Sequence, residues 1–242
     1  MSLPPHVQVA IVGSGFAGLG AAIGLKKSGR HDFVILERGN DVGGTWRDNT
    51  YPGVACDVPS QVYSFSFAKN PRWSRAFSPG AEIQTYLQST ADSYGLREHL
   101  HTGTELLSTT WVPEEQHWIV ETSNGTLTAD IVIAATGPLS EPTLPDIKGL
   151  DSFAGKAFHS ARWDHSWSAK GRRVAVIGTG ASAIQFVPHV QADAAHVALF
   201  QRTAPWVLPR ADRAVSVSPG VRRRPRDRAG GAAVVSRRER LI

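Results

Sequence analysis

The chain has 242 residues and 41% apolar content, enough for one large or two small packed domains and too apolar for a disordered chain. A formal net charge of +5 invites a nucleic-acid or membrane reading, but residues 221–242 hold eight arginines and a net +6, which leaves residues 1–220 at −1. The single cysteine, Cys56, excludes an internal disulfide and fits a reducing, cytosolic setting, and Met1-Ser-Leu-Pro-Pro lacks the basic start and apolar run of a secretory signal.

Val7-Gln-Val-Ala-Ile-Val12 reads as a buried parallel strand, short, β-branched and ended by glycine. Gly13-Ser-Gly-Phe-Ala-Gly18 follows, then an Ala- and Leu-rich helix that stops near Ser28-Gly29. Five glycines and a glutamine interrupt the apolar stretch from Val7 to Leu25, so it reads as strand, turn and helix rather than a membrane span. Gly13 allows the tight turn, Gly15 lets the backbone approach a pyrophosphate, and Gly18 lets helix and strand pack closely. Phe16 and Ala17 lie within this turn, and the N-terminus of the helix that follows offers unpaired N–H groups and partial positive charge to phosphates. Phe33-Val-Ile-Leu-Glu37 is the second strand, ending in an acid nineteen residues after Gly18, where a carboxylate accepts hydrogen bonds from ribose hydroxyls; Arg38 belongs to the same site.

Gly43-Gly44-Thr45-Trp46, Tyr51-Pro-Gly53 and Cys56-Asp57-Val-Pro-Ser60 read as an ordered loop with little regular structure. Ser78 as N-cap and Pro79 at the first position open a helix, with Ile83, Leu87, Ala91 and Tyr94 on its core face and Gly95 at its end. Residues 102–129 form a predicted β-meander through the hairpin signal Asn124-Gly125, with Leu106 placed to meet an adenine through its backbone. Asp130-Ile-Val-Ile-Ala-Ala135 is a further predicted buried strand, closed by Thr136-Gly137.

After a Pro- and Gly-rich stretch, Arg173-Val-Ala-Val-Ile177 restarts the pattern, followed by Gly178-Thr179-Gly180-Ala181-Ser182-Ala183, in which Ala183 replaces the third glycine. Gln185 lies on the helix that follows and is assigned to the same site. The next strand, Val197-Ala-Leu-Phe200, ends in Gln201-Arg202-Thr203, where the first unit ended in Glu37. An arginine there grips a phosphate, so the first site suits the free ribose hydroxyls of FAD and the second the 2′-phosphate of NADPH. The fold class is therefore α/β: a Rossmann-like FAD domain with a β-meander insertion and an incomplete Rossmann-like NADP domain.

Between the two glycine turns, Phe153, Gly155, His159, Trp163 and Asp164 fill every fixed position of a Phe-x-Gly-x-x-x-His-x-x-x-Trp-(Pro/Asp) pattern. This resembles the fingerprint of type I Baeyer–Villiger monooxygenases, close relatives of the flavin-containing monooxygenases. The resemblance implies that Gly44, Thr45, Trp46 and Tyr63 lie along FAD and that Asp57 stands in the active site. It also implies that His159 couples domain movements, and that a later arginine, with no candidate in this sequence, partners Asp57. It further implies conversion of a ketone to an ester or lactone with NADPH and O2 through a flavin C4a-peroxide; a sulfide is a second substrate class. The alternatives left open are an N- or S-oxygenating flavin monooxygenase and a non-catalytic FAD-binding remnant. No metal site is expected.

The expected organisation is an FAD domain over 1–140, a linker carrying the fingerprint over 141–171, a partial NADP domain over 172–215 and an Arg-rich tail over 216–242. After Trp206 there is no aromatic residue, Lys or His. That composition fits an out-of-frame reading of a GC-rich gene from about Ser216, the rival being a basic arm for an acidic surface. Either way, exposed sheet edges and apolar faces are expected in the second unit.

Overall fold

The computed structural model describes residues 2–207, so the Arg-rich tail lies outside the described residues. β1 (His6–Val12) and β2 (Phe33–Leu36) are the apolar strands expected, joined by helix α1 (Phe16–Lys27). They run parallel with Val12 beside Leu36, so both strands end at one edge, where Gly13 donates its N–H to Leu36 O at 2.8 Å. α1 stops because Ser28 turns its hydroxyl onto Leu25 O and Gly29 follows at φ +77°.

α2 is a single turn (Thr45–Asp48), and α3 spans Gly80–Ser93. The N-cap of α3 is Pro79, not Ser78. Ser78 is buried and its hydroxyl pairs with Ser60 Oγ at 2.7 Å, a tertiary partner that outcompetes the local cap. Ile83, Leu87 and Ala91 are buried as the helical spacing predicts.

The first sheet runs in the order β3-β2-β1-β6-β5-β4, where β3 is Leu100–His101, β4 Leu106–Val112, β5 His117–Thr122 and β6 Gly125–Ala134. Two expected pieces, the end of the meander and the strand at 130–135, are one element. β6 pairs antiparallel with β5 through Ala129 and parallel with β1 from Thr128 to Ala134. Its C-terminal half is less buried than expected, with Ile131 47% exposed.

Val9, Ile11, Phe33 and Ile35 pack on one sheet face against Leu19 and Ile23 of α1 and Ile83 and Leu87 of α3. Each of these buried apolar side chains contributes about 1.5–3 kcal/mol relative to exposure. The opposite face gathers Val7, Ala10, Val34, Leu36, Val120, Leu127 and Ala129.

The second unit consists of β7 (Arg173–Ile177), α4 (Ala181–Asp193) and β8 (His196–Phe200), with the two strands parallel in a separate sheet. Ile177, Leu199 and Phe200 are each at least 50% exposed, so β7 and β8 bury far less than β1 and β2. α4 docks on the first unit through a cluster of Tyr51, Ala169, Val176, Ala183, Phe186 and Val190.

Candidate dinucleotide-binding site

The glycine turn stands at the carboxyl ends of β1 and β2, the crevice where open α/β sheets bind ligands. Gly13 has φ +99°, and a Cβ there would lie 2.5 Å from Ala135 O; one on Gly18 would lie 1.9 Å from Gly13 O. These two glycines hold the turn against β6 and α1 against the turn. At Gly15 a Cβ would meet only Gly44 Cα, at 3.9 Å. Gly15 is the N-cap of α1; no side chain caps it, and the first turn carries no acid. The leading N–H groups of an α-helix have no intrahelical acceptor, so this end is a positive, uncapped terminus.

A cleft of about 610 Å³ opens over it, lined among others by Gly13, Gly15, Phe16, Ala17, Glu37, Arg38, Gly44, Thr45, Trp46, Tyr63 and Leu106. The structure thus brings together most of the residues assigned to the first site. Gly18 lies beneath the turn rather than in the lining, and Asp57 and His159 are not among the lining residues. Asp57 is exposed on its loop. Trp46 donates its indole N–H to Tyr63 OH at 3.1 Å, and burial pushes the Tyr63 phenol up. Phe16 packs edge-on against Tyr63 at 5.1 Å, so one wall of the cleft is aromatic.

Glu37 is only 4% exposed. Its carboxylate accepts from Ser14 N–H (3.0 Å), Ser14 hydroxyl (2.6 Å), Gly39 N–H (2.7 Å) and Arg47 Nη1 (2.7 Å). Burial alone would raise its pKa; the Ser14 and Gly39 hydrogen bonds and the Arg47 charge overcome that and hold it below the ordinary carboxylate range. Arg47 also forms a bidentate pair with Asp48 and donates to Asp41 O. Its guanidinium fills the space over Gly39, where a Cβ would lie 2.2 Å from Arg47 Cζ.

Sequence reasoning missed Ser14 and Arg47, as well as Glu141, whose carboxylate holds Arg38 at the cleft rim. The one cue available was Gly39, directly after the Glu37-Arg38 pair.

The second turn is more open. Gly178 has φ +107°, no side chain caps α4 at Gly180, and a Cβ on either glycine would meet nothing within 4 Å. Gln201 reaches Thr179 Oγ1 at 3.0 Å, and Arg202 and Thr203 are exposed beside it. The Gln185 amide is engaged with the 51–55 loop of the first unit.

In the fingerprint, His159 caps a 3-10 turn by accepting from Ala161 N–H at 3.1 Å. Phe158 packs edge-on against Trp163, and Trp163 packs against Phe186 of α4. Lys156 bonds to Asp164 at 2.6 Å; this, followed by the Ser166 hydroxyl and N–H, brings the Asp164 carboxyl down to about 2. Lys156→Ala is therefore expected to move the Asp164 titration upward toward the ordinary aspartate range, as read by carboxyl NMR. An unmoved titration would assign the depression to Ser166 alone.

Comparison with known proteins places this geometry. Residues 10–230 match the family model described as pyridine nucleotide-disulphide oxidoreductase. The chain is 60% identical over 211 residues to a Baeyer–Villiger monooxygenase of Streptomyces coelicolor, covering 87% of this chain and 41% of that protein. It is 50% identical over 212 residues to a Baeyer–Villiger monooxygenase of Pseudomonas aeruginosa, covering 87% and 40%. Its fold matches the crystal structure of OTEMO in complex with FAD and NADP at a TM-score of 0.79 and 35% identity, over 86% of this chain and 41% of that one. The chain thus spans about 40% of the length of these relatives. With a family match that takes in both glycine turns and the fingerprint between them, the chain belongs to the pyridine nucleotide-disulphide oxidoreductase family.

Proposed function

We propose that the chain provides the dinucleotide-binding framework of a cytoplasmic, FAD- and NADPH-dependent monooxygenase that converts a ketone to an ester or lactone, with a sulfide as a second substrate class. The observation that carries this reading is the cleft in which an uncapped helix N-terminus, a buried carboxylate and an aromatic wall converge. The bound FAD and NADP of the OTEMO structure support it. The residues fit FAD: Gly15 and Gly44 leave a cradle that a side chain would fill, and the α1 terminus favours a pyrophosphate.

FAD, when bound, supplies the electron-transfer and oxygen chemistry. The chain's own residues bind, orient and exclude water. Glu37 accepts a ribose hydroxyl in exchange for one of its present donors. Arg47 is suited to yield, because it keeps its bidentate pair with Asp48. Trp46 and Tyr63, tied by their hydrogen bond, screen the cleft wall from water. At the second turn, the α4 N-terminus takes the NADPH pyrophosphate and Arg202 the 2′-phosphate. In this organisation residues 1–140 are the FAD domain, 141–171 the linker and 172–215 part of the NADP domain.

Gly15→Ala tests the first site. The variant is expected to lose FAD affinity at least tenfold, about 1.4 kcal/mol, by flavin-fluorescence titration. Its melting temperature should change little, because the nearest protein atom lies 3.9 Å from the new Cβ. Unchanged affinity would remove FAD from this cleft. NADPH-dependent oxygen uptake, with ester or sulfoxide identified by mass, then decides the reaction.

A further inference from the structure

α4 begins at the second glycine turn, and one turn along it Gln185 spans the two units. Its Oε1 accepts from the Ala55 N–H at 3.3 Å and from Tyr51 OH at 3.0 Å, while Nε2 donates to Ala55 O at 2.8 Å. A primary carboxamide carries the donor–acceptor pair of a peptide group, so Gln185 pairs with Ala55 much as a neighbouring strand residue would. Phe186 packs edge-on against Tyr51 at 6.0 Å. At Gly53, with φ +80°, a Cβ would lie 2.5 Å from His189 Nε2 and 2.8 Å from Gln185 O, so the helix rests directly on a backbone that only glycine allows.

The loop is equally tied on its far side. Gly80 N–H donates to Val54 O at 2.9 Å and Cys56 N–H to Ser78 O at 2.9 Å, which anchors residues 54–56 to the start of α3. Asp57 is the next residue. Its carboxylate is exposed, so the placement of that side chain follows from how the 51–56 backbone is held.

We propose that Gln185 is a positioning residue, a clasp that fixes the Asp57 loop in register with α4, and not a nucleotide ligand. A shift of α4 when its N-terminus takes a phosphate then moves Ala55 with it, which links the second turn to the loop beside the first cleft. This linkage rests on the reading of the two turns as FAD and NADP sites, whereas the clasp itself does not.

The experiment is hydrogen exchange on the whole chain without cofactor, followed by NADP+ titration of the FAD-loaded protein. Gln185→Met keeps the bulk and removes the hydrogen bonds. Protection over residues 51–57 should fall at least tenfold, with α1 and α3 unchanged. In Gln185→Glu the ionised carboxyl faces Ala55 O, so protection is lost at pH 8 and returns as protonation restores the donor at lower pH; a role of bulk alone would show no such pH profile. With FAD bound, NADP+ should shift the flavin absorption band of the unaltered chain. In Gln185→Met the band should stay unmoved while NADP+ binds within about threefold of its usual affinity. Unchanged exchange in Gln185→Met would overturn the clasp. So would a tenfold loss of NADP+ affinity with normal exchange, which would make Gln185 a nucleotide ligand. Failure of the unaltered chain to bind FAD would overturn the functional reading instead, and the exchange measurement would still decide the clasp.

Discussion

Replacing Gly18 with alanine is expected to destabilise the first unit by about 3 kcal/mol or more. The new Cβ would stand 1.9 Å from Gly13 O and 3.5 Å from Ala135 Cβ. Neither neighbour can yield, because Gly13 is itself wedged against Ala135 O. α1 must therefore lift off β1, which opens the contact of Leu19 and Ile23 with Val9 and Ile11. Gly24→Ala in the same helix is the matched control. Nothing lies within 4 Å of its Cβ, so relief of glycine's backbone entropy should stabilise the protein by about 0.5–1 kcal/mol. Urea midpoints of the two variants should move in opposite directions. A small shift for Gly18→Ala would mean that the helix is not seated on the turn as described.

Glu37→Ala is expected to cost about 3 kcal/mol, the lower end of the range for breaking a buried pair, because Arg47 retains Asp48 while Ser14 and Gly39 lose their acceptor. The same carboxylate makes stability depend on pH. Its folded pKa lies below the ordinary value for a glutamate. Its contribution is therefore complete above the unfolded value and is lost as the pH falls through the folded one. Urea midpoints measured from pH 7 down to 3 should fall on the acid side of about 4.5 in the unaltered protein. They should fall less steeply in Glu37→Gln, which has no proton to take up there. Parallel acid limbs would show that other carboxylates govern the loss.

What the sequence disclosed was local in origin. β1, α1 and β2 follow from a largely apolar strand, a glycine turn and a short apolar run, each readable within a few residues. Ser78 looked like an N-cap because the competing hydroxyl of Ser60 is distant in sequence. β6 was divided at Asp130 because its composition changes there, although the backbone runs on and only the pairing partner changes. Arg47 and the orientation of Gln185 had no local signature. One fills the space that Gly39 leaves by lacking a side chain and the other pairs with the backbone of Ala55, and only the fold brings those groups together.

The central place of β6 has a consequence for how the chain folds as it is made. Val9 finds its partner Phe33 early, but the other edge of β1 waits for Thr128 to Ala134. At roughly 5–20 residues per second that delay is on the order of ten seconds, during which an apolar strand edge stays unpaired. So non-local a pairing also slows folding once the ribosome has delivered the strand. Chaperone dependence and aggregation in nascent chains should therefore peak before Ala134 emerges and decline once β6 has closed on β1.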